Sequence, residues 1–331
     1  MISFRKIKYF SGFLIIFALN IIGFSRNIMA IQFPEKPIRF VVPVAAGGSL
    51  NLYTRYIAQK LTESFKQTVL VDNRPGANGI IGADIVAKAA PDGYTLLMGA
   101  TPTLAINVTL YSDKIPYNPE KDFTPITMVA KAPSVLAVHP SIPAKNLKEL
   151  VAHAKSNPGK LNYASSGTGS GNHLTGEMLK TATGIDIVHV PYAGGGPGLI
   201  ALLAREVELM ITPPPILIPM AKNGRLRLIA VSSIKRSPAM PEVPTIDESG
   251  IPGFESTVWY CVVAPRGTPL SIVKDLHIAL TTILTSNDFK DRLLADGATA
   301  ETSTPDELRL WIKSEIPKFA KVIKMSGVKP S

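Results

Sequence analysis

Four loops of the sequence combine glycines with hydroxyl side chains, and each directly follows a short apolar run. The richest of them, residues 165–171, contains four hydroxyl side chains and three glycines. Hydroxyl groups, together with the backbone N–H groups that glycine leaves open, can hold a carboxylate. Serine and glycine are also common in helix-capping turns, so an ordinary turn is the alternative interpretation. A matching glycine loop at residues 43–49 favours capture of a small organic anion. The other two loops are residues 99–103 and 191–196.

Recognisable catalytic and metal-binding motifs are missing from the sequence. The phosphate-loop spacing and the GxSxG elbow do not occur, and Asn172 stands where a dinucleotide-binding GxGxxG would have its third glycine. None of the five histidines forms an HxH or HxxxH pair, and Cys261 is the single cysteine. We interpret His173 and His189, which flank the candidate pocket, as hydrogen-bonded structural residues. The sequence therefore predicts a binding protein without enzyme activity, metal or cofactor.

The charges of the chain do not form a nucleic-acid-binding surface. The formal net charge of the 331 residues is +10. Four basic residues belong to the N-terminal segment described next, which leaves about +6 for the rest of the chain. These charges are scattered, with no basic run and no interleaved aromatic residues, whereas binding to a phosphate backbone needs a concentrated patch. We therefore expect a solvated basic surface and no nucleic-acid partner.

Residues 1–30 have the composition of a secretion signal. Arg5-Lys6-Ile7-Lys8 forms a positive start, residues 9–24 form an apolar core, and Ala30 is a small residue suited to peptidase cleavage. A retained membrane anchor is the alternative, but polar and small residues break the apolar core, which leaves it short for a bilayer span. We predict a signal peptide over residues 1–30, cleavage near Ala30 and a periplasmic location.

From Pro34 onward, short apolar runs alternate with helical patterns. The predicted strands are residues 38–43, 69–71, 95–98, 135–138, 161–164, 187–190, 207–211, 226–231 and 258–263. Asn146, with Glu149 three residues later, predicts a capped helix to about Ser156, and two amphipathic helices are predicted around residues 270–284 and 305–325. This alternation predicts parallel strands with helical crossovers. Ligands bind such sheets at the carboxyl ends of the strands, where the four loops lie.

The loops and their flanking strands also carry a resemblance to a known family. The segments that carry it are Pro34-Glu35-Lys36-Pro37-Ile38, Val42-Pro43, Ala45-Ala46-Gly47-Gly48, Asn73-Arg74-Pro75-Gly76-Ala77, Pro91-Asp92-Gly93-Tyr94-Thr95-Leu96, Leu161-Asn162-Tyr163-Ala164-Ser165-Ser166-Gly167, His173-Leu174, His189-Val190-Pro191-Tyr192, Pro244-Thr245, Trp259-Tyr260 and Ala264-Pro265. In their order and spacing they resemble the Bug family, the extracytoplasmic receptors of tripartite tricarboxylate transporters. The resemblance extends from Phe33 to the C-terminus.

This resemblance implies an α/β fold of the Venus-flytrap type, in which two lobes of mostly parallel sheets flanked by helices enclose a ligand cleft. The expected arrangement is type II-like, with lobe 1 formed by residues 31–132 and 257–331 and lobe 2 formed by residues 133–256. The ligand bridges both lobes and favours the closed state by hinge closure. The pocket-lining positions that the resemblance implies are Ala46, Gly47, Gly48, Thr101, Ser165, Ser166, Gly167, Thr168, Tyr192, Thr212 and Pro213.

The resemblance also implies a ligand class and a partner. Members of the family bind di- and tricarboxylates, acidic amino acids and aromatic acids, and they catalyse no reaction. We therefore expect a monomeric receptor that hands a small organic anion to the membrane subunits of a tripartite tricarboxylate transporter. The alternative is a periplasmic sensor that reports the ligand to a membrane signalling protein, because it would use the same fold and pocket.

The sequence also departs from the family pattern. The family usually has an acid three residues after the second glycine of the first loop, where this chain has Asn51. We expect the missing negative charge to favour a more highly charged anion, and calorimetry would contradict this if a monocarboxylate bound more tightly than di- and tricarboxylates. The segment Thr212-Pro213-Pro214-Pro215 is unusually rich in proline for a turn that lines a pocket.

Overall fold

The computed structural model describes residues 33–46 and 49–330, without the side chain of Asp113. The predicted signal peptide and two of the predicted pocket residues, Gly47 and Gly48, lie outside the described residues. The chain comprises two compact units, Met1–Glu35 and Lys36–Ser331. Of the first unit only residues 33–35 are described. All the helices and strands below belong to the second unit.

The second unit alternates strands and helices along most of its length. In chain order the strands are β1 (Ile38–Val42), β2 (Val69–Asn73), β3 (Thr95–Ala100), β4 (Phe123–Pro133), β5 (Val135–Val138), β6 (Leu161–Ser165), β7 (Ile187–Pro191), β8 (Leu209–Thr212), β9 (Arg227–Val231), β10 (Thr257–Pro265) and β11 (Thr299–Ala300). The α-helices are α1 (Ser49–Phe65), α2 (Ile80–Ala87), α3 (Asn107–Leu110), α4 (Leu147–Ser156), α5 (Gly171–Thr183), α6 (Gly195–Ala204), α7 (Ile218–Lys222), α8 (Leu270–Thr285), α9 (Asn287–Ala295) and α10 (Pro305–Ser326). None of the helices in the described part of the chain is long and apolar enough to cross a bilayer.

The strands form two sheets that share no strand. The first sheet has the order β11-β4-β10-β3-β1-β2, and the second has the order β7-β6-β8-β5-β9. The late strands β10 and β11 therefore return to the first sheet after the chain has built the whole of the second.

The strand directions correct one part of the predicted fold. The expected sheets were mostly parallel, but both sheets are mixed. The pairs β1–β2, β1–β3, β6–β7 and β6–β8 are parallel, whereas β10 runs antiparallel to β3 and β4, β11 to β4, and β5 to β8 and β9. The reason is the exchange of the chain between the sheets. A strand that leaves for the other sheet and one that comes back must run in opposite directions where they pair.

Most predicted elements are present close to their expected bounds. The strand predicted over residues 135–138 is β5, and the capped helix predicted after Asn146 is α4, whose first turn is closed by the Asn146 side chain accepting from the Glu149 N–H at 2.9 Å. The prediction missed β4, which lies between β11 and β10 in the first sheet, and also α9 and the short β11.

Three serines join the two segments by which the chain passes between the sheets. Ser134 lies between β4 and β5, and Ser256 directly precedes β10. The Ser134 N–H donates to the Ser232 hydroxyl at 2.8 Å, and the Ser256 N–H donates to the Ser232 carbonyl at 2.9 Å. The Ser232 hydroxyl donates to the Ser256 carbonyl. All three serines are buried, so the outgoing and returning segments are fixed to one another.

Helix α5 connects the two halves of the fold, which are built around the first and the second sheet. Its Leu174 belongs to the apolar core of the first sheet, together with Trp259 and Cys261 of β10. The loop before α5 also reaches the first sheet's side, because the Asn78 amide donates to the Gly169 carbonyl at 2.9 Å. A methyl group at Gly169 would lie 2.2 Å from Cδ2 of Leu110. The start of α5 is therefore packed tightly against elements of the first half.

Candidate ligand-binding site

Three neighbouring parallel strands of the second sheet end at the same edge. β6 ends at Ser165, β7 at Pro191 and β8 at Thr212. Because β6 lies between β7 and β8 and is parallel to both, the loops that follow the three strands meet there. The carboxyl ends of parallel strands are the usual place for a ligand in an α/β sheet. Seven of the eleven predicted pocket residues lie at these strand ends or in the loops that follow them.

The Ser166 hydroxyl and the Asn172 amide form the first part of this site. Asn172 is the second residue of α5 and its side chain is buried. Its Nδ2 group donates to the Ser166 Oγ at 3.0 Å and to the Ile211 carbonyl at 2.8 Å. The oxygen of Ser166 is thus an acceptor, and Ser166 itself is half-buried. The Ser166 O–H proton remains able to point at a further acceptor.

The Thr212 hydroxyl and the start of α6 form the second part. Thr212 is 2% exposed, and its hydroxyl makes no hydrogen bond with any of the residues that the structure describes. A methyl group placed on Gly195, the first residue of α6, would lie 3.2 Å from Thr212 Oγ1 and 3.8 Å from Ser166 Oγ. The two hydroxyls therefore face the same space at the beginning of this helix.

The beginning of α6 is suited to an anion. No capping side chain bonds to its first turn, and that turn contains no acid, within the described residues. The N–H groups of a first turn have no partner inside the helix, and they give this end a partial positive charge. Gly194 and Gly196 face open space at their Cβ positions, so backbone rather than side chain is presented. A carboxylate could accept from these N–H groups and from the two hydroxyls.

The Ser165 hydroxyl lies behind the site rather than at its surface. Ser165 is fully buried, and its Oγ lies 2.6 Å from His189 Nε2. The same oxygen accepts from the Gly167 N–H at 3.2 Å. The hydroxyl is therefore used in bonds that hold the 165–171 loop in shape.

Two stacked histidines support this loop. The rings of His173 and His189 lie 3.7 Å apart and nearly parallel. His173 Nδ1 accepts from the Gly169 N–H at 3.0 Å, so a neutral His173 carries its proton on Nε2. Burial, with a smaller contribution from the Lys180 charge, lowers the pKa of His173 to about 4. Burial, followed by the charge of His173, lowers the pKa of His189 to about 3. Both rings are neutral at neutral pH, as expected for structural histidines.

The remaining predicted residues of the second sheet surround the same edge. Tyr192 follows β7 and its N–H donates to the Ser165 carbonyl at 3.2 Å. Gly167 adopts a φ of 119°, and a Cβ there would lie 3.3 Å from the Tyr192 carbonyl, so this turn needs a glycine. Thr168 and Pro213 are half-buried in the loops after β6 and β8. The structure thus brings together all seven predicted residues of this half.

The predicted residues of the first sheet occupy different surroundings. Thr101 follows β3 and is fully buried, with its Oγ1 accepting from the Trp259 N–H at 2.9 Å. Ala46 is exposed at the end of the described part of the first glycine loop. Asn51, the departure from the family pattern, is 1% exposed in α1. Its amide donates to Asn73 Oδ1 at 2.9 Å and accepts from Arg55 Nε at 3.2 Å.

Two residues of the site were not among the predicted pocket residues. In the sequence, Asn172 only interrupts a glycine motif, and Gly195 is only part of a glycine-rich loop. The signal for Gly195 was available, because a run of glycines directly before a helical pattern indicates an open helix N-terminus. The role of Asn172 depends on the Ile211 carbonyl, a contact between distant parts of the sequence that no local pattern shows.

Comparison with known proteins identifies the family of the chain. Residues 53–328 match the family described as the tripartite tricarboxylate transporter family receptor, TctC. The chain belongs to the TctC family. Protein BugT of Bordetella pertussis is 37% identical over 308 residues, which cover 93% of this chain and 94% of BugT.

Two solved structures resemble this TctC-family chain along its length. An R. palustris protein solved with adipate is 36% identical with a TM-score of 0.85, and the match covers 90% of this chain and 100% of that one. MatC from Rhodopseudomonas palustris, solved with bound malate, is 33% identical with a TM-score of 0.80, and the match covers 88% and 100%. The predicted Bug-family membership and the two-lobed binding-protein fold are confirmed, and the family is one of solute receptors.

Proposed function

We propose that this chain is an extracytoplasmic receptor that binds a small dicarboxylate and delivers it to the membrane subunits of a tripartite tricarboxylate transporter. The observation that carries the proposal is the convergence of the Ser166 hydroxyl, the Thr212 hydroxyl and the uncapped start of α6 on one space. Such a group of donors, which contains no nucleophile activated by a base, binds an anion without reacting with it. We accordingly propose no enzyme activity.

The ligand class is supported by the related structures. Adipate and malate, which were solved with two relatives, are both dicarboxylates. The donor set of this chain fits one carboxylate of such a ligand, because two hydroxyls and the backbone N–H groups of a helix start can pair with both oxygens. Charge-assisted bonds of this kind contribute about 1.5–3 kcal/mol each.

We propose that binding is coupled to closure of two lobes, residues 31–132 with 257–331 and residues 133–256. The ligand would be bound by the strand-end loops of the second sheet on one side. On the other side it would meet the first-lobe positions Ala46, Gly47 and Gly48. A ligand that contacts both lobes favours the closed form by the difference between its affinities for the two forms. In this proposal Thr101 and Ser165 shape the pocket from behind, since their hydroxyls are used in internal bonds.

The location and assembly follow from the same proposal. A receptor for a membrane transporter works in the periplasm as a monomer, after export by the leader at residues 1–30. The family to which the chain belongs supports this location. Co-purification from membranes with the transporter subunits would support delivery. Co-purification with a signalling protein instead would favour the sensor.

The ligand class is tested by thermal shift and calorimetry. A ligand that binds only the folded protein raises its melting temperature. We expect adipate and malate to raise it and to give measurable heats of binding, and the matching monocarboxylates to bind at least tenfold more weakly. Absence of binding by every di- and tricarboxylate would contradict the proposed function.

The place of binding is tested by a pair of glycine variants in the same helix. In Gly195→Ala the new methyl group would lie between the two hydroxyls, 3.2 Å from Thr212 Oγ1 and 3.0 Å from Cδ1 of Ile216. Loss of one charge-assisted bond corresponds to about a tenfold or greater loss of affinity. Gly196→Ala is the matched control, because a methyl group there meets no atom within 4 Å. Wild-type affinity of Gly195→Ala for adipate would remove the start of α6 from the site.

A further inference from the structure

The side chain of Asn172 forms hydrogen bonds to both hydroxyl-bearing loops of the site. Its Nδ2 group donates to the Ser166 Oγ at 3.0 Å and to the Ile211 carbonyl, directly before Thr212, at 2.8 Å. Asn172 is 3% exposed, so the amide lies beneath the site and both of its N–H bonds are used within the protein. It is a buried link between the loop after β6 and the end of β8.

The direction of these hydrogen bonds is determined by the Ile211 carbonyl. A backbone carbonyl can only accept, so the nitrogen and not the oxygen of the Asn172 amide must face it. The same nitrogen carries a second hydrogen, which is donated to Ser166 Oγ. The Ser166 oxygen therefore accepts one bond, and its own proton is left for an acceptor on the open side.

The hydrogen bond from Asn172 makes the Ser166 hydroxyl a donor rather than an acceptor toward the site. A serine hydroxyl in isolation rotates and can either donate or accept. Once Asn172 occupies a lone pair of its oxygen, Ser166 presents a donor toward the space shared with Thr212 Oγ1 and Gly195. A carboxylate needs donors and is repelled by acceptors, so a hydroxyl oriented in advance binds it better.

From these contacts we infer that Asn172 is a positioning residue for anion binding, which acts through Ser166 and does not contact the ligand. The inference rests on the proposed function. In this inference, the loop at residues 165–171 owes its preference for carboxylates to the side-chain amide of Asn172, which lies outside the loop.

The inference is tested by a double-mutant cycle on the affinity for adipate. Asn172→Leu leaves the Ser166 hydroxyl free to rotate, and we expect a loss of affinity of roughly three- to tenfold. Ser166→Ala removes the hydroxyl. If Asn172 acts through Ser166, the double variant binds as Ser166→Ala does, because nothing remains to be oriented.

A second variant reverses the polarity. In Asn172→Asp the carboxylate has no donor for either partner, and it accepts the Ser166 proton that the ligand would otherwise receive. We expect a larger loss than for Asn172→Leu, and a smaller one when Ser166 is already alanine. Asn162→Leu is the matched control. It removes a half-buried amide at the opposite end of β6, bonded to Glu208 at 3.1 Å, and should leave the affinity within about twofold.

The outcomes separate the inference from the function. If the wild-type protein binds adipate and the losses of the two single variants multiply in the double variant, Asn172 does not act through Ser166 and the inference is wrong. The same holds if Asn172→Leu binds as tightly as the wild type. If the wild type binds no dicarboxylate, the proposed function and the inference fail together.

Discussion

Gly169 is the position where the packing between the two halves of the fold is tested most directly. It has a φ of 76°, in the left-handed region, and its Cβ would lie 2.2 Å from Leu110 Cδ2 and 3.2 Å from Asn78 Nδ2. In Gly169→Ala the left-handed conformation costs about 1 kcal/mol. The contact with Leu110 adds about 1–3 kcal/mol as overpacking. We expect the free energy of unfolding to fall by about 2–4 kcal/mol in total.

A second glycine separates these two contributions. Gly184 ends α5 with a φ of 67°, and a Cβ there meets no atom within 4 Å. Gly184→Ala should therefore lose only the conformational contribution, about 1 kcal/mol. Urea denaturation of both variants measures the difference between them, which is the cost of pushing Leu110 away from the loop.

The Leu110→Ala background provides the internal check. Removing the Leu110 side chain creates space for the new methyl group, so Gly169→Ala should cost no more there than Gly184→Ala does. Contacting residues are expected to be non-additive in this way. If Gly169→Ala and Gly184→Ala destabilised the wild-type protein equally, the close approach to Leu110 would have no energetic effect, contrary to this prediction.

Two further predictions concern buried titratable groups. An imidazole has an ordinary pKa of 6.5, and burial lowers the pKa of His173 in the folded protein to about 4. The folded protein therefore has its full stability above pH 6.5. As the pH falls below 6.5 the unfolded chain binds a proton more readily than the folded protein does, and stability is lost. Between pH 7 and pH 4 the protonation of His173 should lower the free energy of unfolding by about 3 kcal/mol. Urea denaturation should therefore show a flatter pH dependence of stability for His173→Asn, whose side-chain oxygen can still accept from the Gly169 N–H. Equal pH dependences of the variant and the wild type would contradict the prediction. Burial also raises the pKa of the Cys261 thiol, so a thiol reagent at pH 8 should label Cys261 in urea and not in the native protein; rapid native labelling would show that β10 is accessible.

Most of the strands could be predicted because they are short and mostly apolar. β5 is an example: all four of its residues are buried, and its predicted residue range agrees with the observed one. β4 could not be predicted in this way. It is the longest strand, but Pro125, Lys131 and Pro133 interrupt its apolar pattern. Lys131 is tolerated because of tertiary contacts, since it pairs with Glu301 at 2.9 Å and lies over the Trp311 ring. A local pattern does not contain that information.

One part of the candidate site could likewise be predicted from the sequence, and another part could not. Loops rich in serine and glycine after apolar runs could be placed at strand ends from the sequence, and the structure brings those of the second sheet together. Which hydroxyl faces outward could not be predicted. Ser165 and Ser166 are adjacent and chemically identical, but His189 bonds to the first and Asn172 to the second. These partners come from other elements, so the distinction appears only after the chain has folded.

The serine junction between the sheets bears on the order in which the chain folds. Strand β10 pairs with β3 and β4, which are separated from it by the whole of the second sheet and its helices. Closing so long a loop has an entropic cost in an unfolded chain. Because Ser232 binds both Ser134 and Ser256, the inserted half brings its own two ends together as it folds. The early formation of that half would deliver β10 to its partners as a short, local connection, and the largest sheet of the protein would be completed last.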